Sequence, residues 1–523
     1  MDALPSFWKG IVQVIVKDTY VLIPVILASC VLCTILPLTE KNLLALFVLT
    51  KDRYQAWCYL LSGPSIIQDG YDKSDGQPYE VFAPDSRYLF VSSPKHIKEL
   101  DSAPDTVLSL QAASKQMLQP RYTMHGFNWF DRRGTEGVGF VRALRTMLTN
   151  NLPQLLPDLG VMIRARFAEI HMEHPLVSGK RHSPVYPMIV KLTVLTNAFS
   201  FFGKDLAKNE EFLKYALAYI EDTIVCAEIM RVLPSFIAPA IGSIIASRLQ
   251  SHKVIFNALL PVAEERCRQR DLALAGQAVP QHADCIQWIM QTSPKDNPWT
   301  PKRIVHELMA IWFGSVHALS TTITFAIQDL CMHSDYVEPL RKELEGAQYT
   351  EFEKTSRGLP LLDSFIRESA RLTPVESQST RRCALQPFTL SDGSKLNVGD
   401  WACTPVRAIM QDPRHYPSPL DFNGFRFADP AILDPETSSK FRFPQPSPSR
   451  LIDANETYHV WGTGRMACPG RYYAAAVMKV ILAQIIVNYD CDLVHSDDSR
   501  WITWRSSMIP KGSTKVVFIP RNQ

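Results

Sequence analysis

The chain has 523 residues, 46% of them hydrophobic, with 55 Lys and Arg against 52 Asp and Glu. That length suits one large or two ordinary domains with a sizeable core, and a net charge of +3 spread over it makes no overall field for a polyanion, which argues against nucleic acid as a partner. The 11 cysteines are odd in number and scattered, which argues against a disulfide framework or a zinc site and for reduced thiols facing the cytosol.

From Tyr20 to Leu38 the chain carries no charge. At about 1.5 Å per residue this run just spans a hydrocarbon core of about 30 Å. An amphipathic leader with Asp2, Lys9, Lys17 and Asp18 precedes it, unlike the short basic start of a cleaved signal peptide, so an uncleaved anchor is expected. Asn42 to Thr50 is apolar but too short to span, and is expected at the interface. Lys41, Lys51 and Arg53 after the anchor favour a cytosolic body, with Lys9 and Lys17 weighing against them. The expected organisation is therefore 1–50 as anchor and interfacial segment, with a transmembrane helix at about 20–38, and 51–523 as one catalytic domain.

Beyond the anchor, helical periods dominate. YEVFA and YLFVSS around the turn PDSR predict a hairpin over Tyr79 to Ser93. Helices are predicted over Pro94–Asp101, Gly139–Ala168, Pro184–Phe202, Asn209–Val232 and Ser247–Ala273. Val232 to Ala246, apolar and punctuated by prolines and glycine, is expected to be a loop, either lying on a membrane or over an apolar cavity or forming an ordinary buried connection. Thr300 to Cys331 reads as one long central helix, opened by a Thr-Pro cap. Its window GSVHALSTT is rich in small residues and hydroxyls, which lets something large approach the backbone.

SFIRESARLTP then places Glu368 and Arg371 on one helical face, and a proline-rich meander brings Arg426 in FNGFRF. One buried carboxylate held by two planar guanidinium forks is suited to fixing a loop in space. In WGTGRMACPGR, Cys468 sits among glycines just ahead of an apolar helix, where loop amides stabilise a thiolate. No second cysteine or histidine stands at ligand spacing, so a haem iron, which needs one protein ligand, competes with a plain buried cysteine.

Glu368-Ser-Ala-Arg371, the Arg426 meander and the Cys468 loop, in that order, resemble the cytochrome P450 superfamily over nearly the whole chain. The resemblance implies a mainly α fold with small β-sheets, a triangular helical prism behind the N-terminal helix, and thiolate-ligated haem b with Cys468 as axial iron ligand. It implies that Gly464 and Gly470 let the loop approach the porphyrin and that Trp461 packs near the sulfur. Glu368, Arg371 and Arg426 match a structural triad. Arg145, Arg381, Arg382 and, one residue out of place, Arg465 are expected at the haem propionates, because the family's usual Arg or His there is Met466. Ile311, Trp312, Phe313, Gly314 and Ala318 are expected to line the substrate pocket.

The family's acid–threonine pair in the central helix aligns with His317 and Ala318. A relay through His317, helped by Ser315, Ser320 or Thr321 through water, is one expectation for proton delivery; a relay completed by a hydroxyl on the substrate is a second; a histidine that only bonds a backbone carbonyl is a third. These motifs look like those of fungal microsomal members, which oxidise terpenoid, meroterpenoid or indole-terpenoid intermediates of secondary metabolism. That likeness implies a single-pass endoplasmic reticulum protein with its body in the cytosol, served by NADPH-cytochrome P450 reductase and optionally cytochrome b5. Two alternatives are a haem-thiolate peroxide isomerase or dehydratase, and a non-catalytic haem-binding protein.

Overall fold

A computed structural model describes residues 40–129, 139–234, 236–441, 448–495 and 499–521, with side chains from Tyr54 onward. The segment expected to cross the membrane lies outside these residues. The run Asn42 to Thr50 is helical, within Glu40–Ser74.

That helix bends where Ser62 leaves helical geometry, at φ −128° and ψ 21°. Pro64 supplies the cause, since proline has no amide for the carbonyl four residues back. The freed carbonyl of Leu60 accepts instead from the Arg505 amide at 2.8 Å, and that of Leu61 from the Thr503 hydroxyl at 2.6 Å. Gly63 permits the contact, because a Cβ there would lie 1.9 Å from the Arg505 carbonyl oxygen. One bend thus docks the hairpin Trp501–Trp504 and Ser507–Pro510 onto the N-terminal helix.

The main core gathers the helices Thr149–Met172, Val185–Phe202, Pro301–Ser315, His317–Met332 and Arg471–Asn488. Two stretches, Val185–Phe202 and Pro301–Met332, are long and apolar enough to cross a membrane, but 72% and 67% of them is buried inside the fold. They are largely interior helices, apolar because most of each packs against the core.

Beside the helices stands a five-stranded sheet. The hairpin Tyr79–Phe82 and Arg87–Phe90 pairs antiparallel with Tyr79 opposite Phe90; Arg87–Phe90 runs parallel to Trp401–Thr404, which leads on to Ser379–Ala384 and Leu108–Ser109. A second sheet orders Tyr489–Leu493, Lys515–Pro520, Lys180–Pro184 and Leu176–Val177.

Three expectations change. The segment Val232 to Ala246 is not a loop: helix Glu210–Val232 ends and a new helix, Ala238–Arg248, begins almost at once. Pro239 falls in its first turn, where proline starts a helix instead of breaking one. The central helix is interrupted at Val316, at φ −93° and ψ −63°. The expected helix from Gly139 contains a π-helical turn, Ala143–Leu148, before Thr149–Met172.

Because the Gly63 contact is backbone against backbone, Gly63→Ala is expected to destabilise the fold by about 1–3 kcal/mol, the usual cost of overpacking. A urea unfolding midpoint unchanged from wild type would show that the bend does not hold the hairpin.

Candidate active site

The helix Pro360–Leu372 carries the charges that organise the site. Leu359 stands before it in the left-handed region and offers no side-chain cap, so Glu343 from a neighbouring helix accepts from the amides of Leu361 and Leu362 at 2.8 and 3.0 Å. On the helix, Glu368 is fully buried and is gripped by both arms of Arg371 at 2.7 and 2.9 Å. Arg426 Nε reaches its two oxygens at 3.0 and 3.1 Å, and the Asn423 amide adds a bond at 2.9 Å.

The remaining arginine donors point into the meander. Arg371 bonds the carbonyls of Met410 and Pro419, and Arg426 those of Pro417, Ser418 and Asp421. Arg367, which the sequence did not single out, is also fully buried. It donates to the carbonyls of Arg450 and Asp453, with its guanidinium 3.7 Å from the centre of the Tyr458 ring. Tyr458 stands three residues before Trp461, so this one helix clamps the chain on its way into the cysteine loop.

Within the loop, the Cys468 amide donates to the Trp461 carbonyl at 2.7 Å, and the Trp461 indole donates to the Leu451 carbonyl at 2.7 Å. Gly462 and Gly464 take φ of +78° and +54°. Gly464 has a second reason to be glycine, since a Cβ there would lie 2.7 Å from Asp101 Oδ2. Asp101 accepts from the Thr463 hydroxyl at 2.9 Å and pairs with Arg382 at 3.4 Å. A bulge in strand Ser379–Ala384 puts Thr380 at φ +52°, its hydroxyl 3.1 Å from that of Thr463. The sheet therefore holds the loop from one side and the Glu368 helix from the other.

Cys468 is half-buried and lines a cavity of about 570 Å³, the one cysteine among the described residues that does so. Burial pushes its thiol up, while the amides of Gly470 and Arg471 and the charges of Arg471 and Arg145 act to lower it. The walls are apolar, with Leu144, Ile311, Ala318, Leu451, Trp461 and Met478 among them. Beside Gly314 the space is open, with nothing within 4 Å of where a Cβ would stand. One soft sulfur donor facing a roomy apolar chamber, backed by loop amides, fits a haem with a single axial thiolate.

The central helix sorts its residues by turn. Ala310, Gly314, Ala318 and Thr322, spaced by four, line this chamber, while His317 and Thr321 line a second cavity of about 390 Å³. Phe313, Gly314 and Ala318 border both cavities. His317 Nδ1 lies 3.1 Å from the Tyr186 hydroxyl, and burial lowers its pKa to about 4. The far wall of the second cavity is polar. There Arg231 and Arg505 each bond both Asp85 and Glu228, a closed ring of two cations and two anions.

His317 and Thr321, expected in a proton relay, thus line the second cavity and not the thiolate chamber, and four further expected site residues are placed elsewhere. Trp312 lines neither cavity; it is fully buried against Phe202, its indole bonded to the Ala216 carbonyl at 2.8 Å. Ser320 is fully buried and donates to the Val316 carbonyl at 2.8 Å. Arg382 is held by Asp101 away from the chamber, and Arg381 lines the second cavity, paired with Glu376 at 2.7 Å. Arg145 and Arg465 do line the thiolate chamber, Arg465 being also tied to Asp105 at 2.9 Å. Thr322, missed in the sequence, donates to the Ala318 carbonyl at 3.0 Å, and its position one turn after Ala318 is the signal that marks it.

Replacing Glu368 by Gln leaves Arg371 and Arg426 as buried cations without a countercharge. Breaking a buried pair in this way costs about 3–5 kcal/mol. The variant is expected to lose most of its haem-to-protein ratio and to unfold at lower urea; a wild-type ratio would mean that the meander is held by other contacts.

A Cytochrome P450 family model matches residues 159–518, more than half of the chain. Among curated relatives, cytochrome P450 monooxygenase olcJ of Penicillium canescens is 28% identical, covering 81% of this chain and 77% of its own. Cytochrome P450 monooxygenase paxP of Penicillium paxilli is 27% identical over 87% and 85%, and cytochrome P450 monooxygenase 151 of Postia placenta 26% over 87% and 88%. Among solved structures, retinoic acid bound cyanobacterial CYP120A1 superposes with a TM-score of 0.62 at 17% identity, over 88% of this chain and 97% of that one. A mainly helical fold, a cysteine loop clamped by the Glu368 helix and a family match over most of the chain lead to one conclusion: the chain belongs to the cytochrome P450 family, monooxygenases that carry thiolate-ligated haem b.

Proposed function

We propose that this chain inserts one oxygen atom of O2 into a hydrophobic small molecule, a terpenoid, meroterpenoid or indole-terpenoid intermediate of fungal secondary metabolism, and releases the other as water. The two electrons come from NADPH through a separate NADPH-cytochrome P450 reductase, with cytochrome b5 as an auxiliary donor. The 20–38 segment anchors the enzyme in the endoplasmic reticulum membrane, its body in the cytosol. The observation that carries this reading is Cys468 at the edge of an apolar chamber of about 570 Å³. The fungal P450 monooxygenases among its relatives support it.

The haem, when bound, supplies the centre at which O2 is reduced and cleaved. Cys468 would ligate its iron, and Arg145 and Arg465, the arginines lining the chamber at the cysteine loop, would hold its propionates in place of Met466. Apolar walls bind the substrate and exclude bulk water, so protons must come along specified hydroxyls. His317 is turned toward Tyr186 and Ser320 is bonded into the helix. The hydroxyls that the central helix offers to the chamber are those of Ser315 and Thr322. Both are bonded to helix carbonyls, at 2.9 and 3.0 Å, which orients them for ordered water.

A second reading is favoured by Ala318, where no hydroxyl stands. A peroxide isomerase or dehydratase on the same haem needs neither external electrons nor a proton relay, and turnover without NADPH identifies it.

The deciding measurement is the absorption spectrum of the reduced, carbon monoxide-bound protein beside Cys468→Ala. A red-shifted thiolate Soret band in the wild type and its loss in the variant are expected. A histidine-like band in the wild type, or retention of the thiolate band in the variant, removes Cys468 as the ligand.

A further inference from the structure

We propose that His317 anchors a hydroxyl group of the substrate, so that the substrate is an uncharged, largely apolar alcohol reaching from the second cavity past Gly314 and Ala318 into the chamber that Cys468 lines. The inference rests on the thiolate chamber being the oxygenation site.

The two cavities meet where the central helix is slimmest. Phe313, Gly314 and Ala318 border both, and a Cβ at Gly314 would meet nothing within 4 Å. A threonine at 318 would add two heavy atoms at this junction; Ala318 leaves it open. The family's usual alcohol is absent at the point where a long substrate has to pass.

His317 then stands at the wall of the second cavity with one nitrogen occupied and one not. Nδ1 pairs with the Tyr186 hydroxyl, which Thr321 also contacts, and this fixes the ring. Nε2 has no hydrogen-bond partner among the described residues. Burial keeps the ring neutral near pH 7, its pKa lowered to about 4. A neutral imidazole offers Nε2 as a donor in one tautomer and an acceptor in the other, and a hydroxyl satisfies either.

The same cavity selects against an acid. The arginines lining it are all paired: Arg231 and Arg505 with Asp85 and Glu228, and Arg381 with Glu376. Each arginine's charge is thus already met by an anion, leaving as buried donors without a hydrogen bond among the described residues only Arg505 Nη2 and Arg381 Nε, and the cavity wall itself presents Glu221, Glu228 and Glu376. A buried carboxylate without a countercharge is costly, whereas one hydroxyl bonded to His317 is not.

The test uses the full-length holoenzyme and two matched probe series, abietadiene, abietadienol and abietic acid, and dodecane, 1-dodecanol and dodecanoic acid. Affinity is read from the Soret shift on titration. In the wild type the alcohol of at least one series is expected to bind about tenfold more tightly than its hydrocarbon and its acid, the worth of one good buried hydrogen bond. His317→Leu is expected to bring alcohol and hydrocarbon level, His317→Asn to restore part of the preference, and Tyr186→Phe to weaken it without altering the carbon monoxide spectrum. Equal affinities in the wild type, tightest binding of an acid, an unchanged preference in His317→Leu, or no shift with any probe at its solubility limit each overturn the proposal. A wild-type preparation that lacks the thiolate band removes the oxygenation site itself, and is thereby distinguished from a thiolate-ligated enzyme without alcohol preference, which removes the role of His317 alone.

Discussion

The site depends on one buried carboxylate. Glu368 receives five hydrogen bonds from Arg371, Arg426 and the Asn423 amide, and the two guanidiniums spend their other donors on meander carbonyls. Ion pairs buried this deeply add little net stability, because desolvation cancels much of the attraction. Their directionality has a different effect. A hydrophobic replacement would fill the volume but would leave those carbonyls without donors, in a stretch with few regular hydrogen bonds of its own. The charge cluster substitutes for secondary structure in the segment that delivers Cys468.

The cysteine loop is thus held at three places. Arg367 grips the chain below Tyr458, the Trp461 indole ties it to Leu451, and Asp101 and Thr380 hold Thr463 and the Gly464 turn from the sheet. Two of these contacts require unusual backbone, Thr380 and Gly464 both at positive φ. Such conformations are unfavourable alone and persist where the surroundings fix them. Here they aim one sheet and one loop at each other.

The central helix separates chemistry from recognition by its period alone. Residues four apart from Ala310 to Thr322 line the chamber of Cys468, and the neighbouring stripe of His317 and Thr321 lines the second cavity. Changing the residue at 318 alters the passage between the two, and changing 317 alters only what lies on the recognition side. A substitution pair that looks like a defect in a proton relay becomes, in this geometry, a redistribution of roles along one helix.

Local chemistry made much of this legible in the sequence. The hairpin at Tyr79 to Phe90, the Thr300 cap and the Glu-x-x-Arg helix follow from turn residues, capping side chains and period, all short-range. The cysteine loop was recognisable because its glycines and its sulfur stand together in the chain. What the tertiary structure decided were matters of direction and long-range pairing. Trp312 and Ser320 lie on the two halves of the helix expected over Thr300 to Cys331, but that Trp312 turns to the Ala216 carbonyl, and Ser320 to the Val316 carbonyl, is set by how those halves pack. The Pro64 bend waits on Arg505, and the ring of Asp85, Glu228, Arg231 and Arg505 joins segments hundreds of residues apart. Spacing along a chain fixes which side chains share a face. It carries no information about which distant carbonyl or charge that face will meet.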